Sequence, residues 1–419
     1  ANDWAMALGG LGVEETASLY VHIPFCKRLC WYCGCNTRAV NRRETISSYV
    51  DLLLREADLV AQEAGGPIRI GRLHLGGGTP NMLSPEELER LLTGLRRRFD
   101  LSGLIEFAAE LDPETLSPEW IDAAGDLGLT RASLGVQDLS PEVQAAVNRP
   151  VRVETIVAGA EGLRRAGVFS LNLDLMYGLP RQGVAEVLAT LRTVTTLRPE
   201  RLALFGYAHV PWMKPHQKLI DTTELAGPAT RFAMSRDARD LLVSEGYQPV
   251  GLDHFALPHD DLAAASRAGR LHRNFQGYTT DDARTLIGLG ASSISRGRDL
   301  YVQNSAGERE WRMAVGEGRL SVARGVRLSG QDRFVAEVIE RLMCDLEVDV
   351  PAVARRRGAN PSSLAYARPT LDALEADGLI VVADGRVAMT ERGRPFLRAA
   401  AAAFDPGVKV AAGQHARIV

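Results

Sequence analysis

The sequence predicts an α/β fold in which parallel strands are joined by helices. In the N-terminal half, a short β-rich run, a turn and an amphipathic helical stretch follow one another repeatedly. This order is compatible with a partial α/β barrel or with an open doubly wound sheet. Glycines and polar residues cluster where the predicted strands end, and α/β barrels build their sites there. The barrel is therefore the favoured interpretation.

Each predicted element is a segment of one clear pattern. The strands are Leu19–Ile23, Arg69–Leu75, Leu104–Leu111, Thr130–Val136, Phe169–Met176 and Arg201–Tyr207. The helices are Glu44–Glu63, Pro85–Phe99, Pro118–Leu127, Val153–Ala166 and Val184–Leu197. Two of these helices begin with proline after a serine, Ser84 or Ser117, which is typical of a capped helix start.

The composition describes an ordinary globular protein. The chain has 419 residues, 46% hydrophobic and 24% charged, with a net charge of −3. This length favours a large domain with a smaller one. There is no basic excess for nucleic acid, and no apolar run approaches the roughly 20 residues of a membrane span. The first residues show no signal-peptide pattern, so we expect a reduced, cytoplasmic setting.

Four of the five cysteines, Cys26, Cys30, Cys33 and Cys35, fall within ten residues directly after the first predicted strand. A structural zinc site usually takes two separated ligand pairs, and no second pair follows here. The spacing lets Cys26, Cys30 and Cys33 hold three corners of a cubane iron–sulfur cluster and leave its fourth iron open. Zinc, or a group of free thiols, stays open as an alternative. Cys344 is expected to be an inert core residue.

The other strand ends carry polar or glycine-rich segments as well. They are Gly76–Pro80, Glu110–Pro113, Gln137–Asp138, Asp174 and Ala208–His209. After about residue 225 the alternation weakens, and the polar, aromatic run at 271–280 is predicted to be a loop held by a ligand or by the core. From about 328 the pattern indicates a winged-helix arrangement. Without a basic surplus, a packing role is favoured over DNA binding.

With these segments placed, the chain closely resembles the oxygen-independent coproporphyrinogen III oxidase family of radical S-adenosylmethionine (SAM) enzymes. The resemblance extends from Tyr20 to Ala416–Val419. It rests on the cysteine motif with its extra Cys35, and on further motifs in the same order and at similar spacing. These are Gly76–Pro80, Ser133–Asp138, Asn148–Arg149, Asp174–Pro180 and His272–Thr280.

The resemblance implies a partial (β/α)6 radical SAM barrel with a C-terminal, mainly helical, winged-helix-like domain. The expected ranges are 1–17 for an N-terminal segment shorter than in the family, 18–225 for the barrel, 226–327 for its extension and substrate loops, and 328–419 for the C-terminal domain. The implied reaction is oxidative decarboxylation of two propionates of coproporphyrinogen III, giving protoporphyrinogen IX in haem biosynthesis. A propionate does not lose carbon dioxide by polar chemistry, so a radical from the cofactor must remove a β-hydrogen atom.

The resemblance also implies the site. Cys26, Cys30 and Cys33 would hold a [4Fe–4S] cluster, and two SAM molecules would bind near it. The residues expected to contact SAM are Tyr20, Tyr32, Gly77, Gly78, Thr79, Glu110, Gln137, Arg149, Asp174, Ala208 and Ile294. A fourth thiolate would close the iron that SAM needs, so Cys35 is expected to lie near the second SAM or the substrate. We also expect a low-potential electron donor and a monomer.

Several alternatives remain at this point. A haem-binding chaperone of the same superfamily would carry the same cluster, although Cys35 and His272–Thr280 argue against it. A radical SAM enzyme that methylates or opens haem is another candidate, and a redox-sensing DNA-binding regulator is a third. The substrate has four carboxylates and needs cationic partners. Lys214, Arg273, Arg296 and Arg298 lie in suitable segments, but surface solvation explains any one of them equally well.

Overall fold

The computed structural model describes residues 1–12 and 14–407. The last part of the predicted C-terminal domain, with the Ala416–Val419 motif, lies outside the described residues. The chain forms two compact units. Within the described residues, the first comprises 1–174, 197–199 and 281–327, and the second comprises 175–196, 200–280 and 328–407. The division at 18, 226 and 328 expected from the sequence stays a prediction.

The strands are, in chain order, β1 Thr16–Ile23, β2 Phe25–Cys26, β3 Arg38–Ala39, β4 Ile68–Gly77, β5 Phe99–Asp100, β6 Glu106–Leu111, β7 Arg131–Gln137, β8 Ser170–Tyr177, β9 Arg201–Gly206, β10 Gln248–Val250, β11 His254–Ala256, β12 His272–Asn274, β13 Gly277–Thr279, β14 Leu286–Leu289, β15 Ile294–Arg296, β16 Leu300–Asn304, β17 Val322–Arg327, β18 Glu347–Asp349, β19 Ile380–Ala383 and β20 Arg386–Met389.

The α-helices are α1 Asn2–Gly9, α2 Arg43–Glu63, α3 Pro85–Arg96, α4 Pro118–Asp126, α5 Pro141–Ala146, α6 Val153–Arg165, α7 Val184–Thr195, α8 Pro228–Ser244, α9 Asp261–Arg267, α10 Glu308–Gly316, α11 Gly330–Asp345, α12 Val350–Arg357, α13 Arg368–Ala376 and α14 Leu397–Ala402. None of the helices in the described ranges is long and apolar enough to cross a membrane.

In the first unit, the sheet has the order β7-β6-β4-β1-β14-β15-β16-β17. Strands β7, β6, β4, β1 and β14 pair in parallel, and β14 to β17 continue as antiparallel neighbours. β1 lies inside this sheet, and every residue of it after Thr16 is buried. Because parallel strands end at one edge of a sheet, the segments that follow β1, β4, β6 and β7 lie at that edge.

The helices begin where the sequence signals predict. Ser84 accepts a hydrogen bond from the Glu87 amide, and the Glu87 side chain accepts one from the Ser84 amide, which forms a capping box for α3. Ser117 caps α4 in a similar way by accepting from the Trp120 amide. Each cap satisfies an amide that has no partner within the helix.

The six predicted strands and five predicted helices all form, with bounds that differ by a few residues. The prediction of a loop at 271–280 is wrong, because β12 and β13 pair there as a short antiparallel hairpin. The tight turn places Asn274 opposite Gly277, whose φ of +138° is accessible to glycine. Cys344 is buried, as predicted.

The second unit contains β9, β11 and β10 as antiparallel neighbours. Its C-terminal part packs α11 to α14 around an apolar core that includes Phe334, Leu342, Leu371 and Leu397. Strands β18, β20 and β19 form a small antiparallel sheet beside these helices. A mainly helical region with a two-stranded wing matches the arrangement predicted from residue 328 onwards.

Candidate active site

The cysteine loop leaves β1 at the carboxyl edge of the sheet and is closed at its base. β2 and β3 pair in parallel across it. The Arg38 amide donates to the Pro24 carbonyl at 3.0 Å, and the Val40 amide donates to the Cys26 carbonyl at 2.9 Å. These bonds hold the two ends of the loop together without involving any sulfur.

A second clamp comes from the chain after α5. The Trp31 amide donates to the Val147 carbonyl at 3.0 Å, and the Asn148 side chain donates to the Leu29 carbonyl at 2.9 Å. Asn148 has a φ of 55°, a left-handed conformation that asparagine tolerates better than most residues. The Asn148–Arg149 motif therefore fixes the middle of the cysteine loop.

The sulfur atoms have distinct polar neighbours. Cys26 Sγ lies 3.1 Å from the Thr37 hydroxyl and accepts from the Thr79 hydroxyl at 3.3 Å. Cys30 Sγ lies 3.5 Å from Arg149 Nη1. Burial raises the pKa of Cys26 and Cys30, whereas these hydrogen bonds, and the Arg149 charge beside Cys30, oppose the rise. Donors of this kind stabilise a thiolate and a metal-bound sulfur.

Cys33 is near enough for its charge to raise the pKa of both Cys26 and Cys30. Within the described residues, no three His, Cys, Asp or Glu side chains surround a position for a single metal ion. A cubane cluster takes one thiolate on each of three irons, so its ligands surround a body wider than one ion. The amide of Cys35 donates to Cys33 Sγ at 3.4 Å, and Cys35 itself is exposed.

A buried histidine, which the sequence did not single out, supports the start of the loop. His22 Nε2 lies 2.9 Å from the Asn36 carbonyl, so it must carry the proton and donate. The other ring nitrogen, His22 Nδ1, then accepts a hydrogen bond from the Tyr20 hydroxyl, which lies 3.0 Å from it. Burial lowers the pKa of His22, which favours this neutral form. Tyr20 is thereby oriented by β1 itself.

The glycine run that ends β4 lies against these groups. A Cβ on Gly77 would lie 2.5 Å from His22 Nδ1, and Gly77 has a φ of +116°. A Cβ on Gly78 would lie 2.4 Å from the Thr37 hydroxyl. Only glycine fits at these two positions, and the run brings backbone close to the cysteine loop.

Glu110, on β6, faces the same region. Its carboxylate accepts from the Gly77 amide at 3.1 Å and lies 3.2 Å from His74 Nε2. Burial alone would raise the pKa of Glu110, but the hydrogen bond and charge of His74, together with the bond from the Gly77 amide, contribute to a net lowering of that pKa. The side chain is still 39% exposed. His74 stacks on Tyr20 with ring centroids 5.8 Å apart.

Arg149 connects three strand ends. It pairs with both oxygens of Asp112 at 3.2 Å and donates to the Gly135 carbonyl at 2.6 Å. Its Nε is buried and has no partner among the described residues. Gln137, at the end of β7, adopts a φ of 69°, which costs about 1–3 kcal/mol for such a residue.

Asp174, on β8, accepts from the Ser133 hydroxyl at 2.7 Å and from the Asn172 side chain at 2.8 Å. Ile294 lies on β15, and Ala208 follows β9 in the second unit, where its carbonyl accepts from Gln217 at 3.2 Å. The Tyr32 ring lies near Cys30 and Arg149, and burial raises its pKa well above the usual value.

The structure thus brings most predicted site residues of the first unit to one edge of its sheet. The residues that sequence reasoning missed there are their supports: His22, Asn36, Thr37, His74 and Asp112. His22 and Asp112 could have been found, because each stands in a segment already recognised as a strand or strand end. The partner atoms of Asn36 and Thr37 depend on how the loop closes, and the sequence carries no signal for that.

Comparisons with known proteins agree with this architecture. Residues 20–194 match the radical SAM superfamily, and residues 328–396 match the HemN C-terminal domain. The fold and the cysteine loop therefore define a radical SAM protein with an additional C-terminal domain.

The relatives specify the family. The oxygen-independent coproporphyrinogen III oxidase of Bradyrhizobium diazoefficiens is 40% identical over 100% of this chain and 93% of its own length. An anaerobic coproporphyrinogen III oxidase of Cereibacter sphaeroides is 42% identical over 96% of this chain and 89% of its own. The solved coproporphyrinogen III oxidase from Escherichia coli is 35% identical, with a TM-score of 0.92, over 97% of this chain and 94% of that one. The chain belongs to the oxygen-independent coproporphyrinogen III oxidase family.

This membership confirms the predicted α/β fold with a partial barrel and a helical C-terminal region, and it implies a [4Fe–4S] cluster and SAM. The residues fit both groups. Three soft sulfur donors stand in one loop, a glycine run leaves room beside them, and the buried Arg149 Nε has a hydrogen atom to donate.

Proposed function

We propose that this protein catalyses the oxygen-independent oxidative decarboxylation of two propionates of coproporphyrinogen III, giving protoporphyrinogen IX. The observation that carries the proposal is the identity of about 40% along the whole chain to enzymes of that name. A haem chaperone is not favoured, because these relatives carry the name of the oxidase. The substrate links the protein to haem biosynthesis, which we place in the cytoplasm.

Cys26, Cys30 and Cys33 are the proposed cluster ligands, and Cys35 is not one. When bound, the cluster and SAM together supply a 5′-deoxyadenosyl radical, which no side chain of this protein could generate. Thr79 donates to the first ligand, the Thr37 hydroxyl lies beside it, and Arg149 donates to the second, so these residues orient the thiolates and tune their electron density.

The remaining predicted residues would hold SAM. Gly77 and Gly78 let the backbone approach the methionine part closely, with the Thr79 hydroxyl beside them. Glu110 offers partly exposed carboxylate oxygens, and the hydrogen bonds from His74 and the Gly77 amide keep it ionised despite its burial. Gln137, Arg149 and Asp174 supply polar contacts from the next strand ends.

Tyr20 and Tyr32 would contact the nucleoside through their rings, and Ala208 and Ile294 would make backbone or apolar contacts. We also propose that a second SAM binds near Cys35. The family reaction consumes one SAM for each of two decarboxylations, so two bound molecules would serve one turnover. The protein would work as a monomer and would receive its electrons from a low-potential donor.

The test is anaerobic turnover of the reconstituted protein with reductant, SAM and coproporphyrinogen III. We expect protoporphyrinogen, measured as protoporphyrin after oxidation, with two 5′-deoxyadenosines for each product. The Cys30→Ser variant serves as the control and should form neither. SAM cleavage without protoporphyrinogen, or haem binding without any turnover, would contradict the proposal.

A further inference from the structure

A cavity of about 310 Å³ lies within the second unit. Its walls come from the ends of β8 and β9, one face of α8, the segment around β10 and β11, and residues 391–398. Among the described residues, two carboxylates line it, Asp253 and Glu391. The positively charged lining residues are Arg231, Arg236, Arg239, Arg392, Arg394 and Arg398. The lining therefore has a marked surplus of positive charge.

Both carboxylates of the lining already have cationic partners. Glu391 accepts from Arg239 Nη2 at 2.6 Å. Asp253 accepts from Arg398 at 3.3 Å, and its other oxygen lies 2.7 Å from His254 Nδ1. Neither carboxylate forms an ion pair with the two half-buried guanidinium groups of the lining, although the charge of Glu391 raises the pKa of Arg394.

Those two groups belong to Arg231 and Arg394. Arg231 donates to the carbonyls of Tyr207 at 2.9 Å and Gly178 at 3.4 Å. Arg394 donates to the Gly251 carbonyl at 2.8 and 3.2 Å. Carbonyls satisfy hydrogen bonds but do not neutralise a charge, so neither of these half-buried cations has an ion-pair partner among the described residues.

The pKa shifts of Arg231 and Arg394 also indicate that their positive charges are unfavourable in this cavity. Burial lowers the pKa of Arg231 and of Arg394, and the nearby Arg239 charge lowers that of Arg394 further. A bound anion would relieve the burial cost and the repulsion together. Arg239 Nε is also buried without a partner in the described part of the chain.

The position of Arg231 is built into the backbone. A Cβ on Gly178 would lie 2.3 Å from Arg231 Nη1. A Cβ on Gly206 would lie 2.9 Å from the Tyr177 hydroxyl and 3.4 Å from Arg231 Nη2. Two glycines thus leave the space that this guanidinium occupies, as expected of a formed binding site rather than a chance surface charge.

Apolar surface alternates with the charges. Tyr177, Tyr207, Phe232 and Phe255 line the cavity. The Arg231 guanidinium lies 5.7 Å from the centre of the Tyr177 ring. Aromatic walls with a few guanidinium groups suit a ligand that has an apolar ring body and carboxylate arms.

We propose that this cavity binds the propionates of coproporphyrinogen III that survive the reaction. This inference rests on the proposed function. The substrate has four carboxylates and loses two, so two remain in the product. The cavity is at the small end of the usual ligand-pocket range of about 300–1,000 Å³, so it receives part of a tetrapyrrole.

The choice between surviving and reacting propionates follows from transition-state binding. A reacting carboxylate loses its negative charge as carbon dioxide departs. A guanidinium pair would stabilise that carboxylate more than its transition state, and so it would slow the reaction. Strong cationic partners therefore suit the carboxylates that keep their charge. The C-terminal region would then bind substrate, because Arg394 and Arg398 come from it.

The test measures binding of air-stable porphyrins to the reconstituted protein by fluorescence quenching, without reductant. Coproporphyrin III carries four propionates, and protoporphyrin IX carries only the two that survive. We expect Arg231→Gln and Arg394→Gln each to weaken both porphyrins by about 10- to 150-fold, as for the loss of one hydrogen bond to a charged group. Arg368→Gln, an exposed arginine paired with Asp372 outside the cavity, should bind like wild type.

Unchanged affinity for protoporphyrin IX in both variants would overturn the inference. A second measurement needs no variant: coproporphyrin III tetramethyl ester should bind wild type much more weakly than the free acid, and equal binding would also overturn it. If wild type forms protoporphyrinogen while the variants bind porphyrins normally, only this inference fails. If wild type forms none while the variants lose porphyrin affinity, the proposed function fails and the porphyrin site stands.

Discussion

Replacing Gly77 with alanine tests how closely the glycine run is fitted to the histidine beneath it. The new Cβ would lie 2.5 Å from His22 Nδ1, at a φ of +116°. The backbone conformation costs about 1–3 kcal/mol for a residue other than glycine, and overpacking a filled site adds about 1–3 kcal/mol. To make room, His22 would have to give up its contacts with Tyr20 and Asn36. We expect Gly77→Ala to lower the free energy of unfolding by about 2–6 kcal/mol.

Gly128→Ala is the matched control. Gly128 has a φ of +92°, but a Cβ there would meet nothing within 4 Å. Gly128→Ala therefore introduces the unfavourable backbone conformation but no steric clash of the new Cβ. Urea unfolding followed by circular dichroism under anaerobic conditions gives both values, and calorimetry gives the affinity for SAM. Equal destabilisation by the two substitutions would refute the packing argument. We expect Gly77→Ala, but not Gly128→Ala, to lose affinity for SAM, and an unchanged affinity in Gly77→Ala would refute the assignment of Gly77 to the SAM site.

Three further predictions concern other residues. Cys35→Ser should keep the iron content and cluster absorbance of wild type, whereas Cys30→Ser should lose both; equal losses would show that Cys35 is a ligand. Asn148→Ala should lower the free energy of urea unfolding more than Asn148→Gly does. Both variants lose the hydrogen bond to the Leu29 carbonyl, but only alanine is strained at a φ of 55°. A larger loss in Asn148→Gly would contradict this reasoning. Burial raises the pKa of Glu56 from an ordinary 4.5 to about 7. As pH rises, the unfolded chain therefore releases the Glu56 proton at a lower pH than the folded protein does. The free energy of unfolding should fall between about pH 4.5 and about pH 7. Glu56→Gln should flatten that part of the pH profile of the urea midpoint, and an unchanged slope would show that other groups cause it.

The parallel strands and their helices could be predicted because their signals are local. A serine before proline marks a helix start, and a short apolar run marks a buried strand. β14 was not predicted as the neighbour of β1, because this pairing is long-range; Ser18 and Asp281, which bond beside it, are 263 residues apart. The hairpin at 272–279 was missed because strands of three residues carry little periodicity.

In the candidate site, too, local features could be predicted from the sequence and long-range contacts could not. Motif residues such as Glu110 and Asp174 stand at strand ends and could be placed from the sequence. Their partners are set by register and loop closure, so His74 and Asn172 were not expected. The arginine-lined cavity was missed because α8 and residues 391–398 come together only in the folded chain. None of Lys214, Arg273, Arg296 and Arg298, the cations considered from the sequence, lines it.

The cysteine loop is held by backbone pairing between β2 and β3, and by Val147 and Asn148, rather than by its sulfur atoms. Small zinc domains, in contrast, are unfolded until their metal binds. The protein should therefore complete its folding before the cluster is delivered. If oxygen destroys the cluster, the loss should leave a folded recipient that can be reloaded. Repair after exposure to air would then require iron and sulfide, but no new synthesis of the chain.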